Sequence, residues 1–263
     1  MASGQLAVVT GASSGIGREL ARLFAADGYD LVVVANEPQI DDTARELAVG
    51  GIRVEPVQAD LRDDTAVKRV YDVVSDGGRV PAAVAFNAAM GRAGRFVDGE
   101  LSEDLAIVDV NVRSTVHLAK LVLRDMVDSG AGRALFTSSI VAMMPGSHQT
   151  MYNASKAFIQ SFAEALHDEF RGTGVSVTAL MPGPTDTDFF RRAAMENTLL
   201  GRLPLKDDPA KTAAQGYAAM MRGQQKVVAS SLTSKLTGAV FSVLPDSVKA
   251  VANRLIVMPV GDR

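Results

Sequence analysis

Gln5-Leu6-Ala7-Val8-Val9-Thr10 runs without a break into Gly11-Ala12-Ser13-Ser14-Gly15-Ile16-Gly17. The first six residues read as a short buried strand. Beyond the glycines, Glu19 to Ala26 carries Leu20, Leu23 and Phe24 at helical spacing. The glycines therefore stand between a strand and the start of a helix. There they permit a tight turn and let backbone N–H groups approach a pyrophosphate at the helix N-terminus. The spacing is Gly-x-x-x-Gly-x-Gly, not the commoner Gly-x-Gly-x-x-Gly, and a glycine-rich turn that holds no nucleotide is the bland alternative.

The same alternation continues along the chain. Leu31 to Ala35, Arg53 to Ala59, Ala82 to Phe86, Arg133 to Thr137, Val175 to Leu180 and Lys226 to Ala229 are further short, largely apolar runs. Helical patterns lie between them, over Asp41 to Val49, Thr65 to Asp76, Ser102 to about Asp128, and from Tyr152 to about Phe170. Gly50-Gly51 and Gly77-Gly78 act as stop signals. Strands that are apolar on both faces and alternate with helices indicate an α/β fold. The expectation is a single doubly wound Rossmann-type domain over residues 1–263, a parallel sheet of about seven strands with helices on both faces. Two segments break the rhythm. Residues 185–206 show no long element and are rich in Arg, Met, Phe and Leu, as expected of a substrate loop. Residues 230–263 carry Leu236, Val240, Phe241, Leu244, Val248 and Leu255 as weakly amphipathic helices interrupted by Pro245, as expected of a C-terminal cover.

Composition narrows the function classes. Of 263 residues, 47% are hydrophobic and 22% charged, which suits a globular domain with a full core. The net charge of -3 leaves no electrostatic footprint for nucleic acid. Cysteine is absent, which excludes disulfides and thiolate metal sites, and no cluster of histidine and carboxylate suggests a catalytic metal. No basic and apolar leader opens the chain, and no apolar run reaches the length of a membrane span. A cytoplasmic location is expected.

The chemistry centres on Tyr152-Asn153-Ala154-Ser155-Lys156. Residues four apart share a helix face. A free phenol releases its proton only near pH ~10, and a nearby ammonium favours the phenolate. The pair is thus a candidate proton donor and acceptor for alcohol–carbonyl interconversion. A packed tyrosine above a solvated lysine is the plain alternative.

Taken together these residues resemble the short-chain dehydrogenase/reductase family, over most of the chain and in the family's order. Thr10 to Gly17 matches the cofactor loop, Asn111 the mid-helix asparagine, and Ser139 stands thirteen residues before Tyr152, the family's usual spacing. Pro182-Gly183 with Thr187 matches the segment after the sixth strand. The resemblance implies an NAD(P)-dependent oxidoreductase. In it Tyr152 is general acid and base, and Lys156 lowers the tyrosine pKa and bonds the nicotinamide ribose. Ser139 bonds the substrate oxygen, and Asn111 holds a water near Lys156. Gly11, Ser13, Ser14, Gly15, Ile16, Gly17, Asn36, Asn87, Ala88, Pro182, Gly183, Thr185 and Thr187 would contact cofactor together with Tyr152 and Lys156. Asp60 and Leu61 would meet the adenine ring.

Two places depart from the family pattern. Asn-Asn-Ala-Gly is often found after strand four, where this chain has Phe86-Asn87-Ala88-Ala89. At the end of strand two an acid usually marks NAD and a following arginine NADP, where this chain has Ala35 and Asn36. Glu37, next along, has three readings: a partner for a ribose hydroxyl, a charge that repels a 2′-phosphate, or a solvated side chain. With the discriminating acid missing, the expected cofactor is NAD(P), leaning to NADP. Met143, Met144, His148 and the loop over 185–206 would line a mostly apolar pocket for a small carbonyl or alcohol substrate. A non-catalytic dinucleotide sensor or scaffold on the same fold is the competing reading, and a methyltransferase a third, which would have no need of the Tyr–Lys pair. The long helices bearing Asn111 and Tyr152 carry more apolar residues than one face requires, among them Val116, Leu121, Phe158, Phe162 and Leu166, so a homodimer or homotetramer is expected.

Overall fold

In the computed structural model, which describes residues 4–48, 50–202, 206–229 and 245–258, seven strands form one parallel sheet. They are β1 (Leu6–Thr10), β2 (Asp30–Ala35), β3 (Val54–Gln58), β4 (Ala83–Phe86), β5 (Gly132–Thr137), β6 (Val175–Pro182) and β7 (Lys226–Ala229). The order across the sheet is β3-β2-β1-β4-β5-β6-β7. Register is set by pairs such as Val8 with Val32 and Val8 with Val84.

Successive side chains on a strand point to opposite faces, so the valine-rich strands feed two cores. Val8, Val32, Val34 and Val84 enter one core, beneath α3 (Asp64–Val74), α5 (Ser114–Ser129) and α6 (Thr150–Glu169), which contribute Val67, Val70, Leu118, Val122, Ile159 and Ala163. Ala7, Val9, Leu31 and Val33 enter the other, beneath α1 (Gly15–Ala26), α2 (Ile40–Leu47) and α8 (Pro209–Met221), which contribute Leu20, Phe24, Ile40, Leu47, Ala213 and Met220. The strand order reverses between β1 and β4. The crevice at the carboxyl ends of those strands is where such sheets bind ligands.

Three segments differ from the sequence expectation or extend it. The helical run from Ser102 is two helices, α4 (Leu101–Val108) and α5, joined by a π-helical turn over Asp109–Arg113. The segment after β6 holds a short helix, α7 (Phe189–Arg192), and a bridge between Thr185 and Asp207. Pro245 precedes a helix, α9 (Asp246–Val257), whose Val257 joins Phe190, Ala193 and Met195 in a small third core. Val49 and, in the tail, Leu236, Val240, Phe241 and Leu244 lie outside the described residues, as do 203–205 in the loop.

Candidate active site

The turn after β1 is built by glycine. Gly11 and Gly15 have φ of 68° and 56°, a left-handed backbone that favours glycine. A Cβ on Gly15 would meet Thr187 Cγ2 at 2.8 Å, and one on Gly17 would run into the Gly11 carbonyl and the Asn87 amide. Ser14 caps α1 without a side-chain bond, and no acid stands in the first turn. The positive end of the helix dipole is thus left facing the cleft, as an anion site requires. Bare backbone, close glycine packing and an uncompensated helix start suit a dinucleotide pyrophosphate.

Around this turn lies one cleft of about 1590 Å³. Single small-molecule sites are typically ~300–1,000 Å³, so this one has room for a dinucleotide and a second ligand. The structure brings Gly11, Ser13, Ser14, Gly15, Ile16, Asn36, Asp60, Leu61, Asn87, Ala88, Ser139, Tyr152, Lys156, Pro182, Gly183, Thr185 and Thr187 to its walls. Two expected residues stand behind the walls. Gly17 serves the close packing just described. Asn111 is buried, and its side-chain oxygen accepts from Met90 N at 2.7 Å while its nitrogen donates to Met90 O at 2.9 Å and Ser155 Oγ at 2.8 Å. Both amide hydrogens are therefore engaged within the protein, so a water near Lys156 has no hydrogen to accept from this side chain. His148 also lies outside the lining. Its φ is 66°, and its carbonyl accepts from Gly94 N at 2.9 Å, while the next residue, Gln149, faces the cleft instead.

The departures after β4 have a structural reason. Phe86 points into the core, stacked on Phe136 at 4.6 Å, so an amide there would not reach the cleft. Asn87 ties the glycine turn to the sheet. Its nitrogen donates to Thr10 O at 3.2 Å and its oxygen accepts from Thr137 Oγ1 at 3.1 Å. Asp60 is paired with Arg62, whose bonds hold its carboxyl below the ordinary carboxylate range.

Tyr152 and Lys156 sit on one face of α6, as their spacing requires. Burial pushes the Tyr152 phenol up to about 12, and a hydrogen bond with Ser139 draws it partly back. Lys156 is only 3% exposed, and burial pushes its ammonium down to about 7. Its Nζ donates to Thr137 O at 2.7 Å and lies 5.7 Å from the centre of the Tyr152 ring. The phenol thus stands above its ordinary value, where the resemblance implied a lowering by lysine. Desolvation outweighs any help the lysine gives, because the ammonium is turned to a backbone carbonyl.

Sequence reasoning missed Phe189 and Arg192. The Phe189 ring lies 4.9 Å from that of Tyr152, and Gly91 makes room for it, since a Cβ there would meet Phe189 Cζ at 2.5 Å. The segment over 185–206 has no period, so its composition hinted at a wall but could not say which side chains form it.

The sheet order, the glycine turn and the cleft at the strand ends define a dinucleotide-binding α/β protein. The family model described as short chain dehydrogenase matches residues 5–197. The chain belongs to the short-chain dehydrogenase family and is an NAD(P)-dependent oxidoreductase. It is 34% identical over 189 residues to sulfoacetaldehyde reductase 2 of Chromohalobacter salexigens, a match over 70% of this chain and 74% of that one. Among solved structures it is similar to a short-chain dehydrogenase from Sphingobium yanoikuyae in complex with NADPH, with TM-score 0.81, 27% identity, and coverage of 92% of this chain and 96% of that one. It is also similar to a putative NAD(P)-dependent gluconate 5-dehydrogenase from Beutenbergia cavernae with bound NADP at low occupancy, with TM-score 0.74, 27% identity, and coverage of 86% and 95%.

Proposed function

We propose that the protein interconverts a ketone and a secondary alcohol on a largely apolar small molecule, with Tyr152 as general acid and base and NADP as cofactor. The observation that carries this reading is the meeting of Tyr152, Ser139 and Lys156 in a cleft whose far side is walled by Met143, Met144, Phe189, Phe190, Leu199 and Ile256. When bound, the nicotinamide cofactor supplies or accepts the hydride. Ser139 Oγ donates to the substrate oxygen and fixes the carbonyl. At neutral pH the Tyr152 phenol holds its proton, the state that carbonyl reduction uses. Lys156 gains a role when its ammonium turns from Thr137 O towards the ribose and the phenol. Asn111 acts by position, pinning the backbone of Met90 and the Ser155 hydroxyl next to the pair.

A panel of ketones with NADPH and NADH, followed at the reduced-cofactor absorbance, tests this. Consumption of NADPH with bulky apolar ketones is expected. Turnover confined to small charged carbonyls would overturn the apolar substrate class, and no turnover with any ketone would overturn the reaction.

We also infer a homo-oligomer. Leu118, Ala119, Val122, Ile159 and Ala163 are buried against the sheet, yet Phe158 is 42% exposed and stacks on half-buried Phe162, and Leu101 at the start of α4 is 69% exposed. A second copy covers these faces isologously. Light scattering over a concentration range checks this, and a monomer mass throughout refutes it.

A further inference from the structure

The end of β2 has neither an acid at Ala35 nor an arginine at Asn36, and the first charge beyond it is Glu37, which lines the cleft. A bare acid here would accept ribose hydroxyls and repel a 2′-phosphate. Glu37 is not bare. Ser13 Oγ donates to its Oε2 at 3.0 Å. Arg192 Nη1 lies 3.0 Å from its Oε1, and Arg192 Nη2 donates to Ser14 Oγ at 3.2 Å. Asp188, at 3.7 Å, is the other acid near this guanidinium among the described residues. A cation from α7, on the far side of the cleft, thus spans the glycine turn and the end of β2. Arg62 also lines the cleft, but Asp60 engages it from both carboxylate oxygens.

We propose that Arg192 reads the 2′ position of the adenosine ribose and selects NADP over NAD, in place of the arginine absent after β2. This rests on the cleft's assignment to a nicotinamide dinucleotide. A guanidinium has five donors in a planar fork, enough to keep Glu37 on one edge and give another to a phosphate. The Arg192 side chain is 46% exposed, so it is free to re-aim. A phosphate monoester carries about −1.5 to −2 charge at neutral pH and competes well with a single carboxylate. Pairing also cancels the repulsion that Glu37 would otherwise direct at the phosphate. The arrangement has a consequence for substrate. Arg192 and Phe189 share α7, and Phe189 packs on Tyr152. The group that holds the cofactor's 2′ end therefore also holds the wall beside the proton donor.

Calorimetric titration of the cofactor-free protein with NADP+ and with NAD+ tests this, in the wild type, Arg192→Gln, Glu37→Gln and the double variant. The wild type is expected to bind NADP+ more tightly. Arg192→Gln is expected to weaken NADP+ by about tenfold to a hundredfold, the range for a hydrogen bond to a charged group, while NAD+ affinity moves by less than about threefold. Retained NAD+ binding shows that the variant is folded. In the double variant part of the NADP+ affinity returns, because the repelling acid is gone. An equal loss for both cofactors, no loss for either, or a wild type that prefers NAD+ overturns the assignment while leaving the cleft a dinucleotide site. A wild type that binds neither overturns both.

Discussion

Lys156→Met separates the electrostatics of the site from its packing. Lys156 is buried with no carboxylate partner among the described residues, and its ammonium falls from an ordinary 10.5 to about 7. Each pKa unit is about 1.36 kcal/mol, so the charged form is destabilised in the folded chain by about 5 kcal/mol. Between those two values the unfolded chain holds a proton that the native chain has released, so stability rises with pH across that window and is flat outside it. Methionine fills a similar volume and does not titrate. It also leaves Thr137 O without its donor, a loss of about 1–3 kcal/mol that does not depend on pH. Only the pH-dependent part is diagnostic. Urea unfolding of both cofactor-free proteins, from about pH 6 to about pH 10, measures it. The stability of the variant relative to wild type is expected to be highest at the acid end and to fall by about 2–5 kcal/mol towards the alkaline end. A difference that stays constant within about 0.5 kcal/mol would mean that Lys156 titrates normally and is hydrated in the native state.

Tyr152→Phe deletes only the transferable proton, so it is expected to leave cofactor affinity near that of wild type and remove most turnover. Single-turnover assays beside calorimetric binding check both halves, and near-normal turnover would sink the acid–base role. Ala35→Asp adds a carboxylate at the cleft end of β2, where it would accept ribose hydroxyls and repel a 2′-phosphate. The ratio of kcat/KM with NADH to that with NADPH is expected to rise, and an unchanged ratio would place Ala35 away from the ribose. Asn87→Ala removes bonds to Thr10 O and Thr137 Oγ1. At about 0.5–1.5 kcal/mol each, with further cost for polar groups left unpaired, about 1–4 kcal/mol of stability is expected to go. Urea midpoints read the loss, and an unchanged midpoint refutes the bracing role.

Most of the sheet was legible because its signal is local. Runs such as Leu31 to Ala35 are short, apolar at every position and alternate with helical patterns, as strands covered on both faces do, and the glycine turn announces itself by residue type. The break in the long helix was not legible. The π turn over Asp109–Arg113 goes with tertiary bonds from Asn111 to Met90 and Ser155, which no period in the sequence reveals. The side that Phe86 faces was illegible for a related reason. A motif gives the position along the chain, but the side a strand residue faces depends on register, and Phe86 faces Phe136. His148 and Gln149 are neighbours of opposite fate because a left-handed residue reverses the chain just before α6.

The polar residues of the site form a chain of bonds that crosses the ends of the strands, joining residues on the cleft wall to Thr10, Asn111 and Ser155 behind it. Thr10 Oγ1 accepts from the backbone N–H of Asn87 at 2.9 Å, linking β1 to the segment after β4. Asn87 Oδ1 accepts from Thr137 at the end of β5, and Thr137 O accepts from Lys156 on α6. Ser138 Oγ donates back to Lys156 O at 2.9 Å. Ser155 Oγ donates to Tyr152 O at 2.7 Å and accepts from Asn111 beside the π turn. Each bond alone is worth about 1 kcal/mol net. Their joint effect is geometric, since the glycine turn and the Tyr152 helix are held through shared atoms rather than through loops. Such buried networks are stable only when nearly every member is satisfied, so a loss at one member is felt at the others. Lys156 is the member least suited to burial. Its shifted ammonium marks a group kept where water would serve stability better, and that is the pattern expected where placement is set by chemistry rather than by folding.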